Sequence, residues 1–267
     1  MTVSRLSLLL CAMLLSACAS GPPDVPFPAF IDTGELDDVF LASLPGVRAK
    51  QLSGDPMTRR TSNRIDLPAD WQGTSGGTPG RSTELFVLAG ALRLADLELG
   101  PGGYAFLPAG SLGFNLRTDE GARILYFVND ANPEAVIRSP IILDSALLEW
   151  QPTSWPGITT KELLADPGTG ATTWLVRIGV GADVPWESST TIREGFLVSG
   201  QYRHTECVEG EPVTDTYTPG GYFYRPPDTV NGGPMAGADV DTIWLLRETA
   251  QAIHPLADGC MPASPED

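Results

Sequence analysis

Apolar residues in this chain fall into short runs closed by turn residues, with no stripe of helical period. Residues 85–90 and 196–200 are apolar, and each run ends in glycine, Gly90 and Gly200. Residues 124–128 and 243–246 are runs of the same kind, and residues 172–178 alternate in part and are rich in β-formers. Short apolar runs bounded by Gly, Pro, Asn and Asp predict strands. Helical signal is weak: residues 144–150 read as one turn or a linking strand, and residues 247–267 as a tail. The predicted fold class is all-β.

The runs also repeat. Gly90-Ala91-Leu92-Arg93, followed by Gly102-Gly103-Tyr104-Ala105-Phe106-Leu107-Pro108-Ala109-Gly110, is one copy. Gly200-Gln201-Tyr202-Arg203, followed by Gly220-Gly221-Tyr222-Phe223-Tyr224-Arg225-Pro226-Pro227-Asp228, is the other. Upstream, Pro45 answers Pro156 and Asp55 answers Asp166, both 111 positions on, whereas Pro226 follows Pro108 by 118. The surplus falls within residues 205–218, as a longer and more acidic hairpin. A period near 110 is too long for a solenoid repeat and suits two fused domains. The expected division is 30–140 and 141–250, followed by a tail at 251–267.

The doubled glycine-to-proline spacing, with Tyr and aromatics between, resembles the cupin β-barrel in duplicate, a bicupin of the ChrR-like type. The resemblance implies two tandem jelly-roll barrels, each a double-stranded β-helix. It also implies a divalent metal in each, held by three histidines and a glutamate. That part of the pattern is missing. In copy one the Glu position is Thr83, the His pair falls on Gly77 and Pro79 or on Gly76 and Thr78, and the last His is Gly113. In copy two the Glu position is Arg193, the His pair falls on Glu187 and Ser189 or on Trp186 and Ser188, and the last His is Asn231. Asp228 stands where Gly is expected. An arginine is a permanent cation at the place a metal would occupy. The chain has only 2 histidines, so no three-imidazole site can form. No cofactor is expected.

Copy one exchanged its ligands for Gly, Thr and Pro, which suggests a site abandoned or filled. Copy two exchanged them for residues that recognise ligands: Arg193, Asn231, Trp186 and Glu187, with Tyr224 as a wall. A polar pocket is therefore expected in the second barrel. A buried guanidinium must be paired, either internally by Glu187 or by a small anionic ligand. Other candidates are weaker. Glu187 and Glu194 could act as an acid–base pair. Gly73-Thr74-Ser75-Gly76-Gly77 fits G-x-S-x-G but lacks a following helix. His204 reads as a surface or strand residue, and Tyr202, Tyr222 and Phe223 as either stacking groups or core.

Net charge and the N-terminus place the protein. A formal charge of −16 repels nucleic acid and anionic lipid. Arg5 followed by an apolar run over residues 6–17 reads as a signal peptide, too short to span a bilayer. It ends Leu15-Ser16-Ala17-Cys18, a bacterial lipobox in which Cys18 becomes lipidated; the alternative is an ordinary signal with an incidental cysteine. The resemblance to a lipobox implies, with Ala19 following in a Gram-negative cell, the outer membrane, and residues 18–29 read as a Pro-rich tether. Cys207 and Cys260 remain as a pair for an oxidising compartment, either disulfide-bonded or two buried thiols. Together these features predict a non-catalytic, metal-free bicupin lipoprotein on the periplasmic face of the envelope, binding a small ligand or a partner protein. The alternatives are a metal-independent isomerase or lyase acting on a small acid or sugar, and a purely structural envelope protein.

Overall fold

A computed structural model describes residues 30–55, 57, 58, 60–208 and 211–260. Cys18, the signal segment and the tether lie outside the described residues. The only helical segment among the described residues is one 3-10 turn, Ser145–Leu147, capped by the Asp144 side chain. All other regular structure is strand.

Two seven-stranded antiparallel sheets dominate. The first runs Ile141–Asp144, Gly103–Leu107, Arg81–Gly90, Ala122–Asp130, Thr61–Leu67, Arg48–Gly54, Asp38–Val39. The second runs Ile31–Asp32, Gly221–Arg225, Arg193–Ser199, Thr242–Glu248, Thr172–Ile178, Ile158–Ala165, Gln151–Pro152. A smaller sheet closes each into a jelly-roll barrel, with four strands in the first and three in the second. The duplication is thus two tandem cupin barrels. Gly90 ends its strand and Gly200 directly follows the equivalent one, with φ of 72° and 90°. A Cβ there would stand 2.2 Å from the Gly121 carbonyl oxygen, or 2.7 Å from that of Asp241. Only glycine fits both conditions.

The expected division at residue 140 is crossed in both directions. Ile31–Asp32 precedes the first barrel yet pairs with Gly221–Arg225 of the second. Ile141–Asp144 precedes the second barrel yet pairs with Gly103–Leu107 of the first. Each repeat gives its leading strand to the other barrel, so neither sheet is complete within its own repeat.

Alternation along the strands sorts side chains between two destinations. On Arg81–Gly90, Thr83, Leu85 and Val87 enter the first barrel, while Glu84 and Phe86 face the second. On Arg193–Ser199, Arg193 and Leu197 enter the second barrel, while Glu194 and Phe196 face the first. The first interior is an apolar cluster that includes Leu85, Leu107, Leu116 and Ile124. A second cluster, with Phe86, Tyr104, Phe127, Leu175, Phe196 and Tyr222, lies between the sheets. Strands buried on both faces need apolar residues at both parities, which is why these strands read as continuous apolar runs.

The inter-barrel layer also buries charge. Arg247 donates to Glu84 at 2.6 Å, to Asn129 at 3.2 Å and to Glu194 at 3.3 Å. Glu84 also accepts from Tyr104 and Thr173, at 2.8 and 2.6 Å. Ser53 and Ser62 donate to Glu194. Burial alone would raise the Glu84 pKa, but Arg247 and these donors hold it below the usual carboxylate value.

The C-terminal segment is a strap rather than a tail. Ser188 N donates to Pro255 O, Thr190 N to Ile253 O and Ala257 N to Trp186 O. Cys207 and Cys260 form a disulfide that anchors it to the second barrel's hairpin. That hairpin, Tyr202–Val208 with Glu211–Tyr217, carries the acidic surplus expected there.

Two stability predictions follow from this packing. Arg247→Met should cost about 3–5 kcal/mol in urea denaturation, because it leaves two buried carboxylates unpaired. A loss under 1 kcal/mol would mean the cluster does not hold the barrels. Replacing Cys207 and Cys260 by serine should remove up to about 4 kcal/mol on the chain-entropy account. Hydrogen exchange should then rise over residues 251–260 and little elsewhere; uniform protection would refute the strap's dependence on the bond.

Candidate functional site in the second barrel

The second barrel holds a cavity of about 590 Å³ that opens to solvent. Strand alternation supplies its wall. Trp174 and Val176 come from Thr172–Ile178, Trp244 and Leu246 from Thr242–Glu248, and Tyr202 and Phe223 from two further strands. Trp155 lines it from the turn before Ile158–Ala165, and the strap contributes His254 and Leu256. The first barrel's interior is instead filled by its apolar cluster, Gly76 sits opposite Gly113 across one strand pair, and a Cβ on Gly77 would meet the Gly113 nitrogen at 2.9 Å. Backbone closes the space between Gly77 and Gly113, and the buried Thr83 side chain enters the same interior.

Charged groups gather at one side of the second cavity. Arg193 is 5% exposed and bonds to Glu187 at 2.6 Å and to Glu248 at 2.8 Å. Arg225 makes a two-point bond to Glu206, at 2.8 and 2.7 Å, with its guanidinium over the Phe223 ring. Tyr217 also donates to Glu206. Burial alone would raise the Glu206 pKa, but Arg225 holds it low. Burial likewise opposes the Arg225 charge, and Glu206 restores it, so its pKa lies above the ordinary value. Both guanidiniums are already paired with carboxylates.

His204 is the least expected member. It sits on Tyr202–Val208, 4% exposed, and stacks on Tyr202 with ring centroids 5.2 Å apart. Burial pushes its pKa down to about 4, so it is neutral at pH 7. Asn231 Nδ2 donates to the Glu187 carbonyl, which leaves Asn231 Oδ1 to accept from His204 Nε2 at 3.2 Å. The proton therefore sits on Nε2 by this network, and Nδ1 is a bare lone pair with no partner. Trp244 Nε1 is a buried donor with no partner, also on the cavity wall.

Of the residues singled out from sequence, Glu187, Arg193 and Asn231 meet at the cavity. Trp186 does not line it: its ring packs over Gly233, where a Cβ would stand 2.1 Å away. Tyr224 lies on the opposite face of its strand and lines the inter-barrel cleft with Glu194. The Glu187–Glu194 pair fails for the same reason, since Glu194 is bound to Ser53, Ser62 and Arg247. Ser75 is buried, hydrogen-bonded to Tyr126 and followed by no helix, so it is no nucleophile. His204 is on a strand, as expected, but faces inward. Sequence reasoning missed Glu206, Arg225 and Glu248. Their signal was parity: 204 and 206 share a face with Tyr202, 225 with Phe223, and 248 with Trp244.

Residues 45–251 match the family model described as a domain of unknown function, DUF4437. The chain belongs to the DUF4437 family. No curated protein matches this DUF4437 chain in sequence. Solved structures do match in fold. A candidate dioxygenase of Nostoc punctiforme aligns with a TM-score of 0.68 at 18% identity, over 86% of each chain. Protein YlbA of E. coli aligns at 0.66 and 16%, over 82% of this chain and 89% of that one. Oxalate decarboxylase of Bacillus subtilis aligns at 0.60 and 12%, over 84% and 78%. Likeness at this identity establishes the cupin fold of the DUF4437 chain and nothing about its activity.

The metal that the fold family implies does not fit these residues. The glutamate position is the Arg193 guanidinium, and the third histidine position is Asn231, whose two polar atoms are committed to His204 and Glu187. A cation there would face Arg193 at close range. Among the described residues, no group of three or more His, Cys, Asp and Glu could hold a metal.

His204 makes stability depend on pH. Its folded pKa is depressed to about 4 from 6.5, so the unfolded chain binds a proton first as pH falls. Stability is full above about pH 6.5 and is lost progressively down to about pH 4, by an amount on the order of 3 kcal/mol. Urea titrations across that window should show a flatter profile for His204→Gln. An unchanged slope would mean that His204 does not titrate there.

Proposed function

We propose that this protein is a small-molecule-binding bicupin of the bacterial cell envelope, with the ligand held in the second barrel and no metal chemistry. One observation carries the reading: the second barrel keeps a solvent-open cavity with buried polar groups at the position where the fold gathers its ligands, while the first is packed shut. Buried ion pairs are retained at a cost that apolar packing would avoid. A purely structural barrel would be filled, as the first is. Paired guanidiniums weigh against the small anion expected from Arg193 alone, since Glu187 and Glu248 already supply its counter-charge.

Placement in the envelope is part of the same proposal. It is supported by the lipobox ending at Cys18, by the apolar run before it and by a disulfide suited to an oxidising compartment. Eleven residues separate Cys18 from Phe30, a reach of up to about 40 Å when extended. A lipid anchor at Cys18 would hold the barrels near the membrane while leaving the acidic surface in solvent.

Thermal-shift screening of the purified protein against small periplasmic metabolites should find at least one compound that raises Tm. Thr160→Trp, which fills the cavity from the Ile158–Ala165 strand, should abolish that shift. Failure of every compound, or a shift that survives the filled cavity, would end the binding reading. Separately, Cys18→Ala should move the protein from the membrane fraction to the soluble fraction or leave it as precursor. Unchanged fractionation and processing would end the anchor.

A further inference from the structure

We propose that the ligand of the second barrel is an uncharged ring bearing several hydroxyl groups, of monosaccharide or cyclitol size. This rests on the binding reading above and narrows it by three independent observations.

Charge comes first. The cavity is lined by two guanidiniums, Arg193 and Arg225, and one carboxylate, Glu187; Glu248 and Glu206, buried behind the wall, pair with Arg193 and Arg225. His204 contributes no positive charge at pH 7. An anion entering this site finds no unpaired cation and must compete with the carboxylates already bound to both guanidiniums. Its desolvation would go uncompensated. The site selects against the anion that Arg193 alone suggests.

Hydrogen-bonding capacity comes second. The ion pairs leave both donors and acceptors unused. Among the described residues, Arg193 Nη2, Arg225 Nη1 and the second carboxylate oxygen of Glu187 have no protein partner, and Glu187 is 27% exposed. His204 Nδ1 and Trp244 Nε1–H are also unpartnered but buried within the wall, so the groups left for a ligand are those of the two arginines and Glu187. A group that donates and accepts at one atom satisfies such a mixed set, and a hydroxyl does so without charge. The Glu187–Arg193 pair, joined through Oε1 and Nη1, leaves an acceptor and a donor on neighbouring side chains for hydroxyls of one ring.

The walls come third. Trp155, Trp174 and Trp244 with Tyr202 and Phe223 give the cavity flat aromatic faces. Such faces bury the C–H face of a saturated ring and leave its equatorial hydroxyls pointing outward to polar groups. A volume of about 590 Å³ has room for one such ring and its bound water.

The test uses myo-inositol, D-glucose and D-galactose, their anionic counterparts D-glucuronate and D-galacturonate, and toluene as a ring without hydroxyls. Binding to the purified full-length protein is read by calorimetry and tryptophan fluorescence. At least one neutral polyol should bind saturably and more tightly than its uronate. Glu187→Gln should weaken it by about 10-fold or more, and Trp174→Phe should weaken it less than Trp174→Ala. Uronates binding more tightly than their neutral parents would overturn the inference in favour of an anion site. Binding unmoved by either the Glu187 or the Trp174 variants would place the ligand elsewhere and overturn it too. Toluene binding with no polyol binding would overturn the ligand class while leaving the cavity a binding site. Silence from all six probes would overturn the ligand class, while the wider metabolite screen decides the binding reading.

Discussion

Arg247 is 3% exposed, and its charge is met from the opposite barrel by Glu84 and from its own by Glu194. This contact sits in the middle of a layer where two seven-stranded sheets press their outer faces together. Each of those sheets is therefore buried twice, once against its own barrel interior and once against its neighbour. The reciprocal loan of Ile31–Asp32 and Ile141–Asp144 follows from the same arrangement, because each leading strand extends the other barrel's sheet at its edge. Such an edge would otherwise be open to pairing with another chain. The repeats are homologous in pattern, but the folded unit is the pair.

With the outer faces committed to each other, the two interiors were free to diverge. The first took glycine, threonine and apolar side chains at its former ligand positions and closed. The second took charge. Arg193 occupies the place of a ligand carboxylate and recruits Glu187 and Glu248, while Arg225 recruits Glu206 and Tyr217. These pairs resist collapse: truncating any single partner strands a buried charge, so the polar set survives as a unit. The same set keeps the cavity open, since guanidiniums and carboxylates at its side cannot be replaced piecemeal by a packed apolar core.

The strap adds a boundary that the barrel fold by itself lacks. Residues 253–257 hydrogen-bond along residues 186–190, and the disulfide between Cys207 and Cys260 holds their far end. His254, bonded to Glu248 at 2.8 Å, joins the strap to the Arg193 pair. Loss of the disulfide would therefore loosen His254 at the cavity's edge together with the rest of the strap.

How much of this could be read from the chain depends on whether the information was local. Strand runs at 85–90, 124–128, 172–178, 196–200 and 243–246, the doubled glycine-to-proline spacing and the acidic hairpin were all legible, because apolar periodicity and turn residues act over a few positions. The loss of metal ligands was legible too, since it needs only residue types at known spacings. Glu187, Arg193 and Asn231 were found that way. Tyr224 and Trp186 were misplaced, and Glu206, Arg225, Glu248 and the inward face of His204 were overlooked. Strands buried on both faces carry no polar parity to show which side is in. Only the stacking of the two sheets decided that odd positions of Gly221–Arg225 enter the cavity and even ones face the neighbour. The strap and the exchange of leading strands were likewise beyond the sequence, because both are pairings between segments far apart in the chain whose register only the folded molecule sets.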